Sequence, residues 1–434
     1  MTDSRISRRL LLQLAAGAGL APYLGPMTAT ASAADGPTIL TDDVFPIGLF
    51  WPPPKSETTH ERYVELAAAG INVVSGGNDV NKTDSAPLAE TDANALMMQH
   101  AYGVGIRALP TDNRISHATT CGNWQDGIRR ALAEYEAYPA FAGFRIADEP
   151  SPVEYPRYRM IADVLKAAAP QHLAHINLVP VYSASAQAAY EEHLRRYVEQ
   201  VDPTFVSFDH YPLLTDGTVR STYFLNWALV RAAGLAANRP TWVYIQSVDH
   251  WNIKRPNYAE IFWQITMSLA YGCKGIQYFT YWTPINREDF EFGAALIGKD
   301  LRPTQVYHDA SRINREFLAP VGRELKHLVS ESVEHANENP LPLGAKPFAA
   351  DAVVQSVTGG SVVIGRFRQA VEDGQRWLLV ANRSHQAQTT ARVTVSREVA
   401  EFAPATGDYR PIAGAFDVRL AAGEARLYRL SGLS

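Results

Sequence analysis

The chain has 434 residues, of which 46% are hydrophobic and 10% aromatic, so it can bury the core of one large domain and of a smaller second one. Its formal net charge is −5, and no basic run occurs along the sequence. Nucleic acid and anionic membrane surfaces are therefore not expected as partners.

The N-terminus has the pattern of an export signal. Arg8-Arg9 precedes an apolar stretch from Leu10 to about Leu24, and Ala31-Ser32-Ala33 supplies small residues for cleavage. The apolar stretch is too short to span a bilayer. We expect a twin-arginine signal peptide over residues 1–33 and a secreted or periplasmic mature protein without a membrane anchor.

Short apolar runs alternate with amphipathic, helix-like segments between residues 34 and 333. The runs that predict strands are Pro46–Trp51, Ile71–Gly77, Gly105–Asp112, Phe141–Glu149, His175–Tyr182, Phe205–Pro212, Thr241–Asp249 and Gly275–Trp282. A helical segment follows each of them, and the last of these segments, Thr304–Leu328, is the longest. Eight successive strand–helix units predict a catalytic (β/α)8 TIM barrel rather than a doubly wound sheet.

The composition changes after Val333. Residues 334–344 include several prolines and predict a linker. Beyond the linker, alternating runs separated by Gly-rich turns predict a small antiparallel β-sandwich over residues 345–434. The runs are Ala352–Val357, Ser361–Phe367, Arg376–Ala381, Thr390–Val395 and Ala425–Leu430.

The two cysteines are expected to be free. Cys121 follows the carboxyl end of one predicted strand, and Cys273 immediately precedes another. These positions lie on opposite faces of a barrel, so a disulfide between them is not expected even in an oxidising compartment.

The predicted fourth strand ends in Asp148-Glu149-Pro150. A proline ends strand pairing and fixes the following turn, so the two acids are expected at the carboxyl edge of the sheet. Loops before the strands are short and carry helix-ending glycines, whereas loops after them are longer and richer in Asp, Asn, His and Trp. The carboxyl ends of the strands are therefore the expected active face.

The strand ends carry acids, amides and aromatic rings, with few Lys or Arg. Sugars bind to such side chains through hydroxyl hydrogen bonds and ring stacking. The residues expected to contact substrate are Trp51, Asn78, Asp112, Asp148, Asn177, Tyr211, Gln246, Tyr281 and Trp282. No histidine or cysteine pair stands at metal-ligand spacing, and no glycine-rich phosphate loop or Gly-x-Ser-x-Gly motif occurs, so no metal and no cofactor is predicted.

Asp148-Glu149-Pro150 resembles the Asn-Glu-Pro that follows strand four in the clan A glycoside hydrolases. Trp282 at the end of strand eight, the opening Phe45–Trp51 and the appended β-domain are also similar. The resemblance implies a (β/α)8 barrel in which Glu149 is the general acid/base. Two positions depart from the clan pattern: Asp148 replaces the asparagine, and Gln246 stands where strand seven of the clan provides a nucleophilic glutamate. An amide cannot form a glycosyl ester.

Three groups are candidates to replace the missing nucleophile. Asp209 ends strand six, and Asp249 lies three residues beyond Gln246. Asp148 is the third, and would act beside Glu149 if the acetamide group of an N-acetylated sugar made the attack. We favour Asp209. A regular strand would point Asp148 and Glu149 to opposite faces, unless the turn at Pro150 rotates one of them back.

The sequence thus predicts an exported glycoside hydrolase that acts on a poly- or oligosaccharide. Burial is expected to raise the pKa of Glu149, the proton donor, while its partner carboxylate stays ionised. The alternatives are a carbohydrate-binding pseudoenzyme, a substrate-assisted hydrolase of N-acetylated sugars, and an unrelated barrel lyase or metal-dependent hydrolase.

Overall fold

The computed structural model describes residues 36–77, 87–118, 122–284, 291–371 and 374–431. The predicted signal peptide, Asn78 and Cys121 lie outside these residues. Cys273 is a buried free thiol. Within the described ranges, no helix is both long and apolar enough to cross a membrane.

Eight parallel strands form the N-terminal sheet. They are β1 (Ile47–Phe50), β2 (Val73–Ser75), β3 (Arg107–Leu109), β4 (Gly143–Asp148), β5 (Leu173–Leu178), β6 (Val206–Asp209), β7 (Thr241–Gln246) and β8 (Gly275–Phe279). Their order is β3-β2-β1-β8-β7-β6-β5-β4, and a parallel bridge between Ala108 and Phe141 joins β3 to the residues just before β4. The predicted eight-stranded barrel is confirmed.

Helices surround the barrel in the predicted alternation. They are α1 (Thr38–Thr41), α2 (His60–Ala68), α3 (Ala93–Gly103), α4 (Asn113–Ser116), α5 (Trp124–Glu136), α6 (Tyr155–Ala168), α7 (Gln187–Val201), α8 (Tyr223–Ala236), α9 (Tyr258–Ala270), α10 (Gln305–Ile313) and α11 (Ala319–Lys326). A π-helical segment, Asn314–Leu318, joins the last two, so the long segment predicted after strand eight is helical throughout.

The barrel interior changes from apolar to polar towards the carboxyl ends of the strands. An apolar layer at the amino ends includes Leu173, Phe205 and Trp242, and Gly275 makes room for the Trp242 indole, which a Cβ atom there would meet at 2.6 Å. Two residues further along each strand, the same faces carry buried polar groups such as His175 and Ser207. The core therefore ends in a polar layer directly beneath the carboxyl ends.

Two antiparallel sheets follow the barrel, as predicted. Their strands are β9 (Val329–Ala336), β10 (Val354–Gly359), β11 (Val362–Arg368), β12 (Arg376–Asn382), β13 (Thr389–Val395), β14 (Val399–Ala403), β15 (Asp408–Ile412), β16 (Ala415–Leu420) and β17 (Ala425–Leu430). One sheet has the order β10-β13-β16 and the other β15-β14-β17-β12-β11-β9. Strand β9 begins within the residues assigned to the barrel and extends into those assigned to the linker. It pairs with β11, but its charged residues obscure the alternation of apolar and polar residues that predicts a strand.

The larger C-terminal sheet packs on the barrel helix α9. Trp263 Nε1 donates to the Arg383 carbonyl at 2.9 Å, and Thr266 Oγ1 donates to the Gly423 carbonyl at 2.9 Å. Gly423 is required at this contact, because a Cβ atom would lie 2.2 Å from the Ala259 carbonyl oxygen. The C-terminal domain thus supports the helix that follows β7.

Candidate active site

A pocket of about 410 Å³ opens at the carboxyl ends of the barrel strands. Its lining combines three carboxyl groups, two arginines, two histidines and a wall of aromatic rings. The lining residues are Phe50, Trp51, Arg145, Asp148, Glu149, Asn177, Pro180, Tyr182, Asp209, His210, Tyr211, Arg220, Tyr244, His250, Trp251, Ile253, Phe279 and Phe292. This is the face on which the sequence places the active site.

The backbone at Glu149 turns both neighbouring acids into the pocket. Glu149 has φ = +46°, in the left-handed region, and its N–H donates to the Asn177 carbonyl at 2.8 Å. A non-glycine residue in this conformation costs about 1–3 kcal/mol, and such strain clusters at functional sites. Regular alternation would separate Asp148 from Glu149, so this rotation allows both to line the pocket.

The carboxyl groups of Glu149 and Asp209 lie close enough for a hydrogen bond that acts on the pKa of both. Asp209 is only 7% exposed, and burial raises its pKa well above the usual range, with further increases from the charges of Glu149 and Asp148. Burial and the Asp148 charge also raise the pKa of Glu149, in the predicted direction. The hydrogen bond acts oppositely on the two groups, raising the pKa of Asp209 and lowering that of Glu149.

Burial favours the neutral form of Asp209 more than that of Glu149, so a proton held by the pair resides on Asp209 and is donated to Glu149. The raised pKa of Asp209 runs against the prediction that the partner of Glu149 stays ionised. The partner is the more deeply buried of the two groups, and a buried carboxyl group favours its neutral form.

The negative charge of Asp148 is balanced by an arginine on the same strand. Arg145 Nη2 lies 2.7 Å from Asp148 Oδ1, and the Arg145 guanidinium also lies over the Phe50 ring at 4.4 Å. Asn177 Nδ2 lies 3.4 Å from Asp148 Oδ1 and 3.2 Å from Asp209 Oδ1. Arg145 thus offsets the negative charge of Asp148, and Asn177 bridges two of the carboxyl groups.

Aromatic rings form the pocket wall. Tyr211 stacks on Phe279 with ring centroids 5.0 Å apart, and Trp51 stacks on Phe50 at 5.5 Å. Trp251 is 68% exposed and is also part of the lining. Trp51 and Tyr211 thus line the pocket, and their contact with substrate stays a prediction.

Gln246, predicted to bind substrate, is instead a structural residue. Its side chain is fully buried, and its Oε1 accepts from Leu213 N at 2.9 Å. Its Nε2 donates to the carbonyls of Leu213 and Lys254. The amide therefore ties together the loops after β6 and β7, and the carboxyl end of β7 offers no group to the pocket at this position.

Converting Gln246 to Glu is expected to destabilise the protein by about 3 kcal/mol or more without adding a nucleophile. The new carboxylate would face two carbonyl oxygens and lose both donated hydrogen bonds. Urea unfolding measures the change. Gln388→Glu, on an exposed residue, is the matched control and should stay within about 0.5 kcal/mol of wild type. An unchanged unfolding midpoint for Gln246→Glu would contradict this role.

Asp112 and Asp249 are engaged outside the pocket. Asp112 caps α4, accepts from Arg114 Nη2 at 2.8 Å and from the Tyr135 hydroxyl at 2.8 Å, and is 2% exposed. Asp249 pairs with Arg255 at 3.1 Å. Neither carboxylate lines the pocket, which corrects the predicted substrate contact of Asp112 and removes geometric support from Asp249 as a partner of Glu149.

Tyr281 and Trp282 belong to the packing between barrel and helices. The Tyr281 hydroxyl donates to Glu65 on α2 at 2.5 Å, and its ring is fully buried. The Arg62 guanidinium lies 5.3 Å from the Trp282 ring centroid. Neither residue is among those that line the pocket, so their predicted substrate contacts have no support in the structure.

Sequence reasoning missed several lining residues. Arg145 lies within the buried strand that ends at Glu149, and a lone arginine among apolar residues was a readable signal for an internal ion pair. Tyr244 lies two residues before Gln246, so strand alternation could have identified it. Arg220 and Ile253 lie in loops, where no periodicity indicates direction. Among the described residues, no cluster of three or more His, Cys, Asp or Glu side chains could hold a metal ion.

No protein-family model and no curated protein sequence matches this chain. Solved structures do resemble it. A GH27 β-L-arabinopyranosidase from Geobacillus stearothermophilus is 9% identical, with 92% of this chain and 97% of that chain covered at a TM-score of 0.49. α-Galactosidase I from Mortierella vinacea is also 9% identical, with 87% and 92% covered and a TM-score of 0.46. A GH30 subfamily 8 xylanase from Clostridium acetobutylicum is 8% identical, with 89% and 96% covered and a TM-score of 0.43. The barrel of this chain is given by its own eight-stranded sheet, and these likenesses carry no argument about its activity or substrate.

Proposed function

We propose that this protein is an exported glycoside hydrolase that cleaves a poly- or oligosaccharide, with Glu149 as its general acid/base and Asp209 as the partner of Glu149. The proton-sharing pair in a pocket lined by aromatic rings carries the proposal. Two carboxyl groups with different environments are the minimal machinery of glycosidic hydrolysis. The rings offer flat apolar faces for stacking on sugars.

The accessible member of the pair is the one that meets the substrate. Glu149 is partly accessible to solvent, whereas Asp209 is only 7% exposed. The shared proton passes through Glu149 to the glycosidic oxygen as its bond to the anomeric carbon breaks. The two ionised carboxylates then stabilise the positive charge on the sugar. A water molecule supplies the new hydroxyl group, and its proton returns to the pair, so the cycle closes without another reactant.

Substrate binding must also separate the two carboxyl groups. In glycosidases they lie about 5–5.5 Å apart for retention of configuration and about 6.5–9.5 Å apart for inversion. A direct hydrogen bond is shorter than either spacing. The sugar therefore enters between the two groups once the shared proton has moved from Asp209 to Glu149, and it replaces their hydrogen bond with contacts of its own.

The contacts of the acids weigh against two alternatives. A carbohydrate-binding pseudoenzyme would not need a second carboxyl group beside Glu149, and Asp209 supplies one. A substrate-assisted mechanism needs Asp148 to face the acetamide group of the substrate. The Asp148 carboxylate is instead paired with Arg145 at 2.7 Å.

A screen of aryl glycosides and polysaccharides tests the function. The readouts are release of the aryl group and of new reducing ends from wild type and from Glu149→Gln. We expect turnover of at least one class by wild type and its loss in the variant. Polysaccharide binding with no turnover by wild type would favour the pseudoenzyme instead, and chelator-sensitive turnover would favour a metal-dependent hydrolase.

We also propose export through the twin-arginine pathway, which rests on the N-terminal sequence. Changing Arg8-Arg9 to Lys-Lys should abolish export of the full chain from a bacterial host that has this pathway. Immunoblots of the periplasm and culture medium measure the mature form. Arg5→Lys, in the same basic region, is the control and should leave export intact. Export of the Lys-Lys variant at the same level as Arg5→Lys would point to another export route.

A further inference from the structure

A line of buried polar side chains runs down the barrel interior from the catalytic pair. It passes from Asp209 through Asn177 and Ser207 to His175, and the exposed fraction of these four residues is 7%, 3%, 0% and 0%. Ser207 Oγ lies 2.9 Å from Asn177 Oδ1 and 3.1 Å from His175 Nε2. The proposed mechanism uses only the first member of this line.

The donors and acceptors along the line have one consistent arrangement. Ser207 has a single hydroxyl proton, which it donates to the Asn177 carbonyl oxygen. Its oxygen must then accept from His175, whose ring proton is therefore on Nε2. The NH2 group of Asn177 is thereby directed to the carboxyl groups of Asp209 and Asp148.

His175 is fixed as a neutral donor at the base of the line. Burial, together with the nearby Arg145 charge, lowers its pKa to about 3. Its ring stacks on Tyr244 at 5.9 Å with an interplanar angle of 8° and also packs against Phe205 and Trp242. Its proton and its orientation therefore stay unchanged across the working pH range of the pair.

We propose that Asn177, held in one orientation by Ser207 and His175, is a positioning residue that directs Asp209 towards Glu149 and limits how strongly Asp209 holds the shared proton. This proposal deepens the proposed function, because it concerns the same pair. A donor directed at a carboxylate favours the ionised form, so Asn177 opposes burial and keeps the proton transferable. If the Asn177 side chain lost this orientation, Asp209 would hold the shared proton more tightly.

Other titratable groups also face Asp209, and the test must separate their effects from that of Asn177. They come from β4, from the loops after β5 and β6, and from α7. These groups are Asp148, Glu149, Tyr182, Tyr190 and Tyr211, with Arg145 acting on Glu149. The hydrogen bonds of the Ser207 hydroxyl run to Asn177 and His175, so a change at Ser207 reaches Asp209 through Asn177.

The test is a pH titration of the Asp209 carboxyl group by NMR on protein labelled with 13C at the aspartate side-chain carboxyl carbon. The spectrum of Asp209→Asn assigns the signal, and no substrate is needed. In Ser207→Ala and in Asn177→Ala, the Asp209 titration should shift upwards by about one pH unit, the size expected for losing one hydrogen bond to a charged group. Ser268→Ala, at a fully buried serine on α9 that donates to the Gln264 carbonyl, is the control and should leave it unchanged.

The outcomes separate the steps of the proposal. An unchanged titration in Asn177→Ala overturns the role of Asn177. A shift in Asn177→Ala without one in Ser207→Ala overturns the part assigned to Ser207 and His175. Because the titration is independent of turnover, the protein can fail every glycoside screen and still show the shift, so the two proposals fail separately.

Discussion

Glu149→Gln is expected to lower kcat/KM by about 10³-fold or more, the largest loss for any single substitution in this protein. The amide preserves the volume and can still accept a hydrogen bond, but it carries no transferable proton. Loss of a general acid costs about 10²–10⁴-fold, and the substitution would also strand the shared proton on Asp209. The measurement is steady-state hydrolysis of the best substrate from the screen.

The leaving group distinguishes acid catalysis from a structural effect. An aryl glycoside whose phenol has a low pKa needs little protonation, so Glu149→Gln should lose less activity on it than on an oligosaccharide. Glu154→Gln is the matched control, because the Glu154 carboxylate accepts from the Ser151 backbone just before α6 and does not line the pocket. An equal loss on both substrates, or near-normal activity on the oligosaccharide, would remove Glu149 from the role of acid.

The pairing of Glu149 with Asp209 was predictable because parallel strands end at a common edge. Each acid terminates an apolar run, and two strands that end on carboxylates bring them to the same face of a barrel whatever the loops do. The eight strands themselves followed from apolar runs at regular spacing. These features depend on periodicity, which a single sequence displays directly.

Periodicity does not determine where the side chains of the remaining site residues point. Gln246 occupies an inward register position, yet its amide turns sideways to the loop backbone at Leu213. Asp112 similarly bonds Arg114, two residues along the chain. Short-range hydrogen bonds with the backbone or a near neighbour compete with the pocket for polar side chains at strand ends. Only the three-dimensional structure shows whether such a side chain points into the pocket or bonds its near neighbours.

The proton on Asp209 was also beyond prediction, because it depends on relative burial. Both acids end their strands and look equivalent in sequence. Glu149 extends its strand into a left-handed turn and reaches solvent, while Asp209 stays at the barrel mouth beneath it. The difference in burial decides which carboxyl group has its pKa raised more strongly.

Asp209→Asn is expected to lower kcat/KM by about 10²–10³-fold and to remove one limb of the pH–rate profile. The wild-type pair titrates as a unit, so the profile reports two macroscopic pKa values that belong to both acids. With an amide at 209, Glu149 loses both its like-charged neighbour and its proton source. The retained limb should then lie lower than in wild type, since the amide NH2 donates to the Glu149 carboxylate. A profile with both limbs unmoved would exclude Asp209 from the pair.

The same substitution should stabilise the folded protein increasingly as the pH rises. The folded-state pKa of Asp209 is raised, so its favourable contribution is complete below about pH 4, the unfolded value, and is lost as the pH rises towards the folded value. An asparagine stays neutral throughout, so the variant should match wild type at low pH and exceed it at neutral pH in urea unfolding.

Asp216→Asn is a control of opposite sign, because Thr218 lowers the pKa of that exposed carboxylate and its removal should cost stability as the pH rises. A variant that is both inactive and more stable would identify Asp209 as a residue kept for chemistry at the expense of the fold. An Asp209→Asn protein less stable than wild type at neutral pH would mean that the carboxyl group holds the barrel mouth together instead.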